Sequence, residues 1–301
     1  MKKIVVLVGG LFLSTVVAAH SETVLLSMKG PGSGNPFWAA VQAGAEEKAK
    51  ELGVDLVVLA PPEESDVQSQ INQVEDQLAK KIDAMAIAPT DPNALKPVVE
   101  AAMKQKVGVV FVDTKGVNDG VTFIGTNNEV GAALAADYIC KNIAKGSEVA
   151  ILQGIITQST GQARAEGSKK GLTACGLVVV AEQPADWDTA KAQSAMENII
   201  TGHPNIKAVF ASNDNMALGV VQALKSAKML DKVMVVGFDA NPNAAASILA
   251  GEMSASVAQN PKNMGRLGVE NALKVKHGEK IDPVLDTGTV LVTKDNAADY
   301  K

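Results

Sequence analysis

The stretch that decides the fold runs from Val24 to Leu52 and reads VLLSMKGPGSGNPFWAAVQAGAEEKAKEL. Its first five residues form an apolar run of strand length, and its second half carries apolar residues at helical spacing. Asn35 is a good N-cap and Pro36 a good first helical residue, which predicts that a helix begins here. Phe37 and Trp38 follow at once. These rings either pack into the core or form a platform for a ligand, and the stretch alone leaves both interpretations open.

The rest of the chain repeats this alternation of apolar strand and helix. Strands are predicted at 24–28, 54–60, 84–88, 107–112, 121–124, 149–152, 177–181, 208–211, 233–236, 254–258 and 289–292. Helices are predicted at 37–52, 67–78, 94–104, 130–143, 164–173, 189–201, 216–227, 244–249 and 264–276. Apolar strands separated by helices belong to parallel sheets covered on both faces. Because one open sheet rarely holds so many strands, the pattern predicts an α/β protein with two doubly wound, Rossmann-like domains.

Length and composition are those of a globular chain with two ordinary domains, since 47% of the 301 residues are hydrophobic and 20% are charged. The net charge of −5 comes with no basic block, which argues against a nucleic-acid partner. A positive start, an uncharged apolar run from Ile4 to Val17 and small residues at 17–19 predict a signal peptide over 1–21. We therefore expect a protein exported to the periplasm.

Cys140 and Cys175 are the only two cysteines of the chain. In an oxidising compartment such a pair forms a disulfide, and the alternative is two buried thiols at helix ends. The three histidines, His20, His203 and His277, are scattered along the sequence, which argues against a zinc site. We expect neither a metal nor another cofactor.

Polar and aromatic side chains recur just after the predicted strands, where doubly wound proteins bind their ligands. In chain order they are Lys29, Asn35, Phe37, Trp38, Asp113, Thr114, Lys115, Gln162, Arg164, Trp187, Asn213, Asp239 and Gln259. Planar amides and carboxylates suit the hydroxyls of a sugar, and aromatic faces suit its C–H groups. Structural interpretations compete: the neighbouring Asp214 is an N-cap candidate, and Trp187 by itself suits a core. Repetition at nearly every strand end favours a site for a neutral polyhydroxylated ring.

Several short motifs stand out at these strand ends. They are NPFW (35–38), PTD (89–91), VD (112–113), LQG (152–154), QPADWD (183–188), FASND (210–214), MALG (216–219), VGFD (236–239) and AQ (258–259). With them, nearly the whole mature chain resembles the ribose-binding-protein family, the periplasmic sugar-binding components of ABC importers. The resemblance implies a type I periplasmic binding protein, whose two similar lobes are joined by a three-segment hinge. It implies an N-terminal lobe of 22–126 plus 260–287 and a C-terminal lobe of 127–259 plus 288–301.

The resemblance also implies roles for individual residues. Three would stack on the sugar, namely Phe37, Trp38 and Trp187. Five would form hydrogen bonds with it, namely Asn35, Asp113, Asn213, Asp239 and Gln259.

Two departures from the family pattern bear on the ligand, because Thr114 and Gln162 stand where aldose-binding relatives carry arginine. Without these two cations, we expect a more negative site than in those relatives. The sequence leaves open whether Lys29, Lys115 or Arg164 restores the charge. A resemblance to allose-binding relatives favours Lys29.

The function expected from these features is delivery of a monosaccharide or sugar alcohol to an ABC permease by a monomeric binding protein. An amino-sugar or inositol ligand is one alternative, and an adaptor for a chemoreceptor or sensor is another. An enzyme is disfavoured, because the chain has no Gly-x-Ser-x-Gly elbow, no Walker lysine and no histidine near a candidate nucleophile. The Gly30–Gly34 loop lacks the G-x-G-x-x-G spacing of a dinucleotide site.

Overall fold

The computed structural model describes residues 21–301. The predicted signal peptide, 1–21, lies outside the described residues except for Ser21. The strands are β1 (Thr23–Ser27), β2 (Asp55–Leu59), β3 (Ala84–Ile87), β4 (Gly108–Val112), β5 (Thr122–Gly125), β6 (Glu148–Gln153), β7 (Val178–Pro184), β8 (Ala208–Ala211), β9 (Met234–Asp239), β10 (Ala255–Ala258), β11 (Val284–Asp286) and β12 (Val290–Val292). The helices are α1 (Pro36–Leu52), α2 (Val67–Ala79), α3 (Lys96–Lys104), α4 (Asn128–Asn142), α5 (Ser159–Ala174), α6 (Thr189–Gly202), α7 (Asp214–Ser226), α8 (Pro242–Leu249) and α9 (Pro261–Lys276), followed by a 3-10 helix at Ala297–Tyr300.

Within residues 21–301 these strands form two six-stranded sheets of the same topology. Their orders are β11-β5-β4-β3-β1-β2 and β12-β10-β9-β8-β6-β7. Neighbouring strands are parallel, except that β12 runs antiparallel to β10. Helices cover both faces: Val24 and Leu26 of β1 point into one core layer, and Leu25 points into the other. The prediction of two doubly wound α/β lobes is therefore confirmed.

Along the described residues, the chain passes from one sheet to the other three times. The first passage lies between β5 and α4, because Ala136 and Ile139 of α4 belong to the core of the second sheet. The second lies between β10 and α9, whose Met264 and Val269 belong to the core of the first sheet. The third joins β11 to β12. On this basis we propose lobe boundaries at 22–126 plus 260–287 and 127–259 plus 288–301.

Helix α1 is held in the first lobe by its cap and by α9. Asn35 is the N-cap, and its side chain accepts a hydrogen bond from the Phe37 N–H, as predicted. A Cβ at Gly44 of α1 would lie 1.9 Å from the carbonyl oxygen of Lys262, and one at Gly265 of α9 would lie 1.9 Å from that of Val41. Only glycine permits this approach of the two helices. The α1–α9 contact thereby fixes the helix that carries Phe37.

The largest differences from the predictions are in helix α5 and strand β11. Helix α5 begins at Ser159 rather than at 164, because its first turn, Ser-Thr-Gly-Gln, has none of the apolar residues from which helical periodicity is read. Strand β11 was not predicted, since it has only three residues and pairs along one edge with β5. Among the described residues, no helix combines the length and the apolar character needed to cross a membrane.

A disulfide joins Cys140 and Cys175 in the second lobe. Cys140 lies in the last turns of α4, and Cys175 is the C-cap of α5. The sequence left open whether the two cysteines form a disulfide or are buried thiols, and the structure shows the disulfide.

Candidate functional site

A cavity lies between the two lobes, at the carboxyl ends of both sheets. Its walls are Lys29, Asn35, Phe37, Trp38, Glu64, Asp113, Thr160, Arg164, Trp187, Asn213, Asp239 and Gln259. Ten of these twelve residues were predicted from their positions after strands. The free space inside is about 30 Å³, which is room for about two water molecules. In this arrangement the lobes are closed on each other, so a ligand of sugar size requires them or the side chains between them to move.

Lys29 occupies the centre of the cleft. Its ammonium Nζ lies 3.1 Å from Asp113 Oδ2 and 3.6 Å from Glu64 Oε2, and it donates a hydrogen bond to Gln158 Oε1 at 2.9 Å. The residue is only 3% exposed, so these partners replace the water that a free ammonium would bind. Lys29 is therefore the cation of the first-lobe wall.

Aromatic rings face this ammonium from both lobes. Lys29 Nζ lies 5.7 Å from the ring centroid of Trp38 and 5.4 Å from that of Trp187, which are cation–π distances. Phe37 meets Trp38 edge-to-face, with ring centroids 5.1 Å apart. The Trp38 indole N–H donates to Glu64 Oε1 at 2.7 Å, which fixes the orientation of its ring. The cleft thus presents apolar ring surface beside buried charge.

Arg164 supplies the cation of the opposite wall. Its guanidinium donates to Asn128 Oδ1 at 2.7 Å and to the Ser212 carbonyl oxygen at 2.9 Å, and its Nη1 lies 3.6 Å from Asp239 Oδ1. It stacks 3.8 Å from the centroid of the Phe238 ring. Burial lowers the pKa of Arg164, and the Asp239 carboxylate opposes this by raising it.

Asp239 has an unusually weak acid group. Burial raises the pKa of its carboxyl to about 7, although Arg164 and the hydrogen bond from Gln259 lower it. Gln259 Nε2 donates to Asp239 Oδ1 at 2.6 Å, and Gln259 in turn accepts from Thr126 Oγ1 at 2.6 Å. Thr126 and Gln259 stand next to the first and second passages between the sheets. The hydrogen-bond chain therefore connects Asp239 to the hinge.

Several residues around the cleft have a strained backbone conformation with positive φ. Of the eight non-glycine residues with positive φ in the described part of the chain, five lie at its strand ends: Asp113, Asp186, Trp187, Asp239 and Ala240. A bulky residue such as Trp187, with φ of 66°, rarely adopts this conformation. Such strain persists only where surrounding contacts enforce it, and it concentrates at functional sites. A Cβ at Gly154 would lie 2.1 Å from the Trp187 ring, so this glycine leaves room for the indole.

Asp214 holds the strained loop behind Asp239. It is the first residue of α7 and not its N-cap, which is Asn213, so the N-cap interpretation of Asp214 is wrong. Its carboxylate accepts hydrogen bonds from the Asn241 N–H at 2.7 Å and from Ser256 Oγ at 2.6 Å. Burial and the nearby Asp239 raise the pKa of Asp214 well above its usual range. Through these two hydrogen bonds, Asp214 holds the loop that follows Asp239 in place on the side away from the cavity.

Two of the predicted site residues do not line the cavity. Thr114 lies behind Asp113 and donates its hydroxyl to Asp113 Oδ2 at 2.7 Å. Gln162 is exposed and donates to the Ile156 carbonyl oxygen at 2.8 Å. Residues two apart on a helix point about 200° away from each other, so Gln162 faces solvent because Arg164 faces the cleft. Neither residue lines the cavity in this arrangement of the lobes, and the argument from missing cations loses its support at position 162.

Other residues of the site were missed. Glu64 and Thr160 line the cavity, and Gln158 bonds to Lys29 behind it. Glu64 follows β2 and Thr160 follows β6, so the strand-end rule applied to every strand would have included both. Lys115 is exposed, and its backbone contacts Ser159. The sequence left open whether Lys29, Lys115 or Arg164 restores the missing positive charge. Lys29 and Arg164 line the cavity, and Lys115 does not.

Counted as formal charges, the acidic side chains of the cavity wall outnumber the basic ones. Its carboxylates are those of Glu64, Asp113 and Asp239, and its cations are Lys29 and Arg164. Carboxylates, amides and rings can together receive the hydroxyls and C–H faces of a polyol. Within residues 21–301, no group of three His, Cys, Asp or Glu side chains is arranged to hold a metal ion.

Two similar α/β lobes that meet over a buried polar cleft define the class of solute-binding proteins that close on a small ligand. Residues 27–280 match the family model described as the periplasmic binding protein domain. The chain is 37% identical to the ribose import binding protein RbsB of Salmonella typhimurium over 300 residues, 98% of this chain and 99% of that protein. The chain therefore belongs to the periplasmic binding protein family.

Solved structures agree with this membership. An ABC transporter periplasmic solute binding protein from Actinobacillus succinogenes with bound D-allose has a TM-score of 0.87 and 32% identity, and the match covers 93% of this chain and 100% of that one. The Caulobacter myo-inositol binding protein bound to myo-inositol has a TM-score of 0.86 and 29% identity, over 93% and 96% of the two chains. The relatives are thus sugar-type binding proteins of the periplasm, several of them from ABC importers.

Proposed function

We propose that this chain binds a monosaccharide or sugar alcohol between its lobes and delivers it to the permease of an ABC importer. The observation that carries the proposal is the cleft wall, in which rings from both lobes, Trp38 and Trp187, stand beside buried carboxylates and amides. The relative named for ribose import and the structures solved with D-allose and myo-inositol bound support it.

The residues of the wall divide between two roles in this proposal. Phe37, Trp38 and Trp187 stack on the C–H faces of the ring. The hydrogen-bonding set is Lys29, Asn35, Glu64, Asp113, Thr160, Arg164, Asn213, Asp239 and Gln259. Contacts from both lobes exist together only in the closed state, so the ligand stabilises closure by the difference in contacts between the two states.

The biological setting follows from the same family. We propose a monomer, carried to the periplasm by the signal peptide at 1–21, whose closed form docks on the permease. A chemoreceptor or sensor that reads the same closed form is the alternative partner, and a pull-down with the ligand-bound protein separates the two.

Titration calorimetry with D-ribose, D-allose and myo-inositol tests the proposed ligand class. We expect one of them to bind and to raise the melting temperature, because a ligand that binds only the native state stabilises it. Asp239→Ala should lose on the order of 2 kcal/mol of binding free energy, since a charged acceptor disappears. The exposed Asp137→Ala on α4 is the matched control. No binding by a broad set of aldoses, polyols and inositols would contradict the proposal.

An amino sugar is the second candidate, because the wall holds two cations and three carboxyl groups, of which Asp239, with a pKa of about 7, is about half ionised at neutral pH. A ligand ammonium would balance this excess. Calorimetry with D-galactose and D-galactosamine compares the two ligand types on one ring. Tighter binding of the amino form supports the candidate, and equal affinity removes the electrostatic argument.

A further inference from the structure

Gln158 lies where the two lobes touch, just behind the cavity wall. It precedes α5 and its side chain is fully buried. Its Oε1 accepts two hydrogen bonds, from Lys29 Nζ at 2.9 Å and from the Trp187 indole N–H at 2.8 Å. Its Nε2 donates to the Thr90 carbonyl oxygen at 3.0 Å. One amide thereby contacts both the cation and an aromatic ring of the cleft.

Two of these three bonds cross between the lobes. Gln158 and Trp187 belong to the second lobe, whereas Lys29 and Thr90 belong to the first. Next to them, Ser159 Oγ accepts from the Lys115 N–H and donates to the Lys115 carbonyl oxygen, both at 3.1 Å. The start of α5 therefore meets the first lobe through direct hydrogen bonds between protein atoms.

The first-lobe partner of Gln158 is itself rigidly held. Gln70, fully buried, accepts hydrogen bonds at 2.8 Å from both the N–H and the hydroxyl of Thr90. Its Nε2 donates to the Ala88 carbonyl oxygen at 2.8 Å and to Ser27 Oγ at 3.1 Å. The Thr90 carbonyl is thus anchored to the ends of β1 and β3, so the amide of Gln158 meets it in a set orientation.

A fixed amide matters most for Lys29, whose four-carbon side chain is flexible and carries a strongly hydrated charge. Asp113 and Glu64 attract the ammonium from the first lobe, and Gln158 draws it toward Trp187 in the second. If the buried ammonium of Lys29 loses this acceptor, one of its N–H donors is left without a hydrogen bond. This destabilises the present position of the side chain, and we expect the ammonium to move to another one.

We infer that Gln158 is a positioning residue of the binding cleft, which holds Lys29 against the second lobe when the lobes close. The inference rests on the proposed function only in taking a sugar as the ligand. Gln158 itself forms no part of the cavity wall, and it acts through Lys29 and Trp187.

The test combines two readouts on Gln158→Leu, with the exposed Gln105→Leu at the end of α3 as control. Trp38 and Trp187 are the only tryptophans of the chain, and the Trp187–Gln158 hydrogen bond lies within the second lobe, so emission of the sugar-free protein reports this bond whether the lobes are open or closed. We expect a shifted emission for Q158L and none for Q105L. With the tightest binder among D-ribose, D-allose and myo-inositol, Q158L should bind about tenfold more weakly, as expected for the loss of one acceptor.

A double-mutant cycle with Lys29→Met tests the route of the effect. Because Gln158 acts largely through Lys29, Q158L should cost clearly less affinity in the K29M background than in the wild type. Equal costs in both backgrounds would overturn the inference, as would wild-type emission and affinity in Q158L.

Gln158→Glu keeps the test decisive if Q158L does not fold. The carboxylate retains both accepted hydrogen bonds and loses the one donated to Thr90, so Lys29 keeps its acceptor and we expect a smaller loss of affinity than in Q158L. A loss in Q158E that is the same with Lys29 and with Lys29→Met would refute the inference. If the wild type binds none of the sugars, the proposed function fails, while the emission of sugar-free Q158L still tests the bond between Gln158 and Trp187.

Discussion

Arg164 and Asp239 in the cavity wall and Asp214 behind it are three ionisable groups with side chains at most 7% exposed. Two carboxylates share one nearby guanidinium, and burial raises the pKa of both. Such an arrangement lowers stability, because the attraction between buried charged groups only partly offsets the free energy lost when they are removed from water. At the scale of single residues, the cleft is therefore built for a ligand rather than for maximal stability.

Asp239→Asn tests this cost through its pH dependence. The folded pKa of about 7 lies above the ordinary aspartate value, so the folded state binds more protons than the unfolded state between about pH 4 and 7. Asp239 therefore makes the free energy of unfolding fall as the pH rises through this window. Relative to the wild type, D239N should gain on the order of 1 kcal/mol or more between pH 4 and pH 8.

Urea unfolding of the sugar-free protein at several pH values measures this difference. Asp137→Asn, on the exposed face of α4, is the control for a change in net charge. A D239N stability difference that is the same at pH 4 and pH 8 would show that the Asp239 carboxyl titrates normally.

At the scale of elements, α4 and α5 act as a pair that links the cleft to the far side of the second lobe. Their first turns meet at the cleft, where Arg164 of α5 donates to Asn128 of α4. Their opposite ends are joined by the disulfide between Cys140 and Cys175. The bond thus stabilises the pair without touching the site.

Cys140→Ser with Cys175→Ser should therefore lower stability and spare binding. The bridge closes a loop with a sequence separation of 35 residues, for which the chain-entropy model gives about 4 kcal/mol. We expect lower resistance to urea, and affinity for the bound sugar within about threefold of the wild type. Wild-type protein with and without reductant provides the comparison, and unchanged unfolding in the double variant would contradict the expected contribution.

At the scale of the whole molecule, closure couples two lobes that each hold half of the site. Asp113 and Asp239 come from different sheets and face the same small cavity. The free space of about 30 Å³ is smaller than a sugar, so the lobes or the side chains between them move when a sugar binds, and the hinge is the segment that can supply a motion of the lobes.

Small-angle scattering during sugar titration should show the molecule contract as the ligand binds. Asp113→Asn in the first lobe and Asp239→Asn in the second should each move the midpoint of the contraction to higher sugar concentration, because closure needs contacts from both lobes. The exposed Asp137→Asn should leave the midpoint unchanged. A midpoint that responds to only one of the two substitutions would show that the contacts driving closure come from that lobe alone.

The two doubly wound lobes could be predicted from the sequence, and ten of the twelve residues that line the cavity were among its predicted site residues. Strand and helix periods are local properties, and parallel strands bring the residues after their carboxyl ends to one edge. Only the tertiary structure decided that Gln162 points to solvent and that Thr114 stays behind Asp113. It also decided that Gln158 meets Lys29, 129 positions away in sequence. The direction of a side chain depends on where its helix begins, and contacts between lobes depend on how two separately folded cores are set against each other.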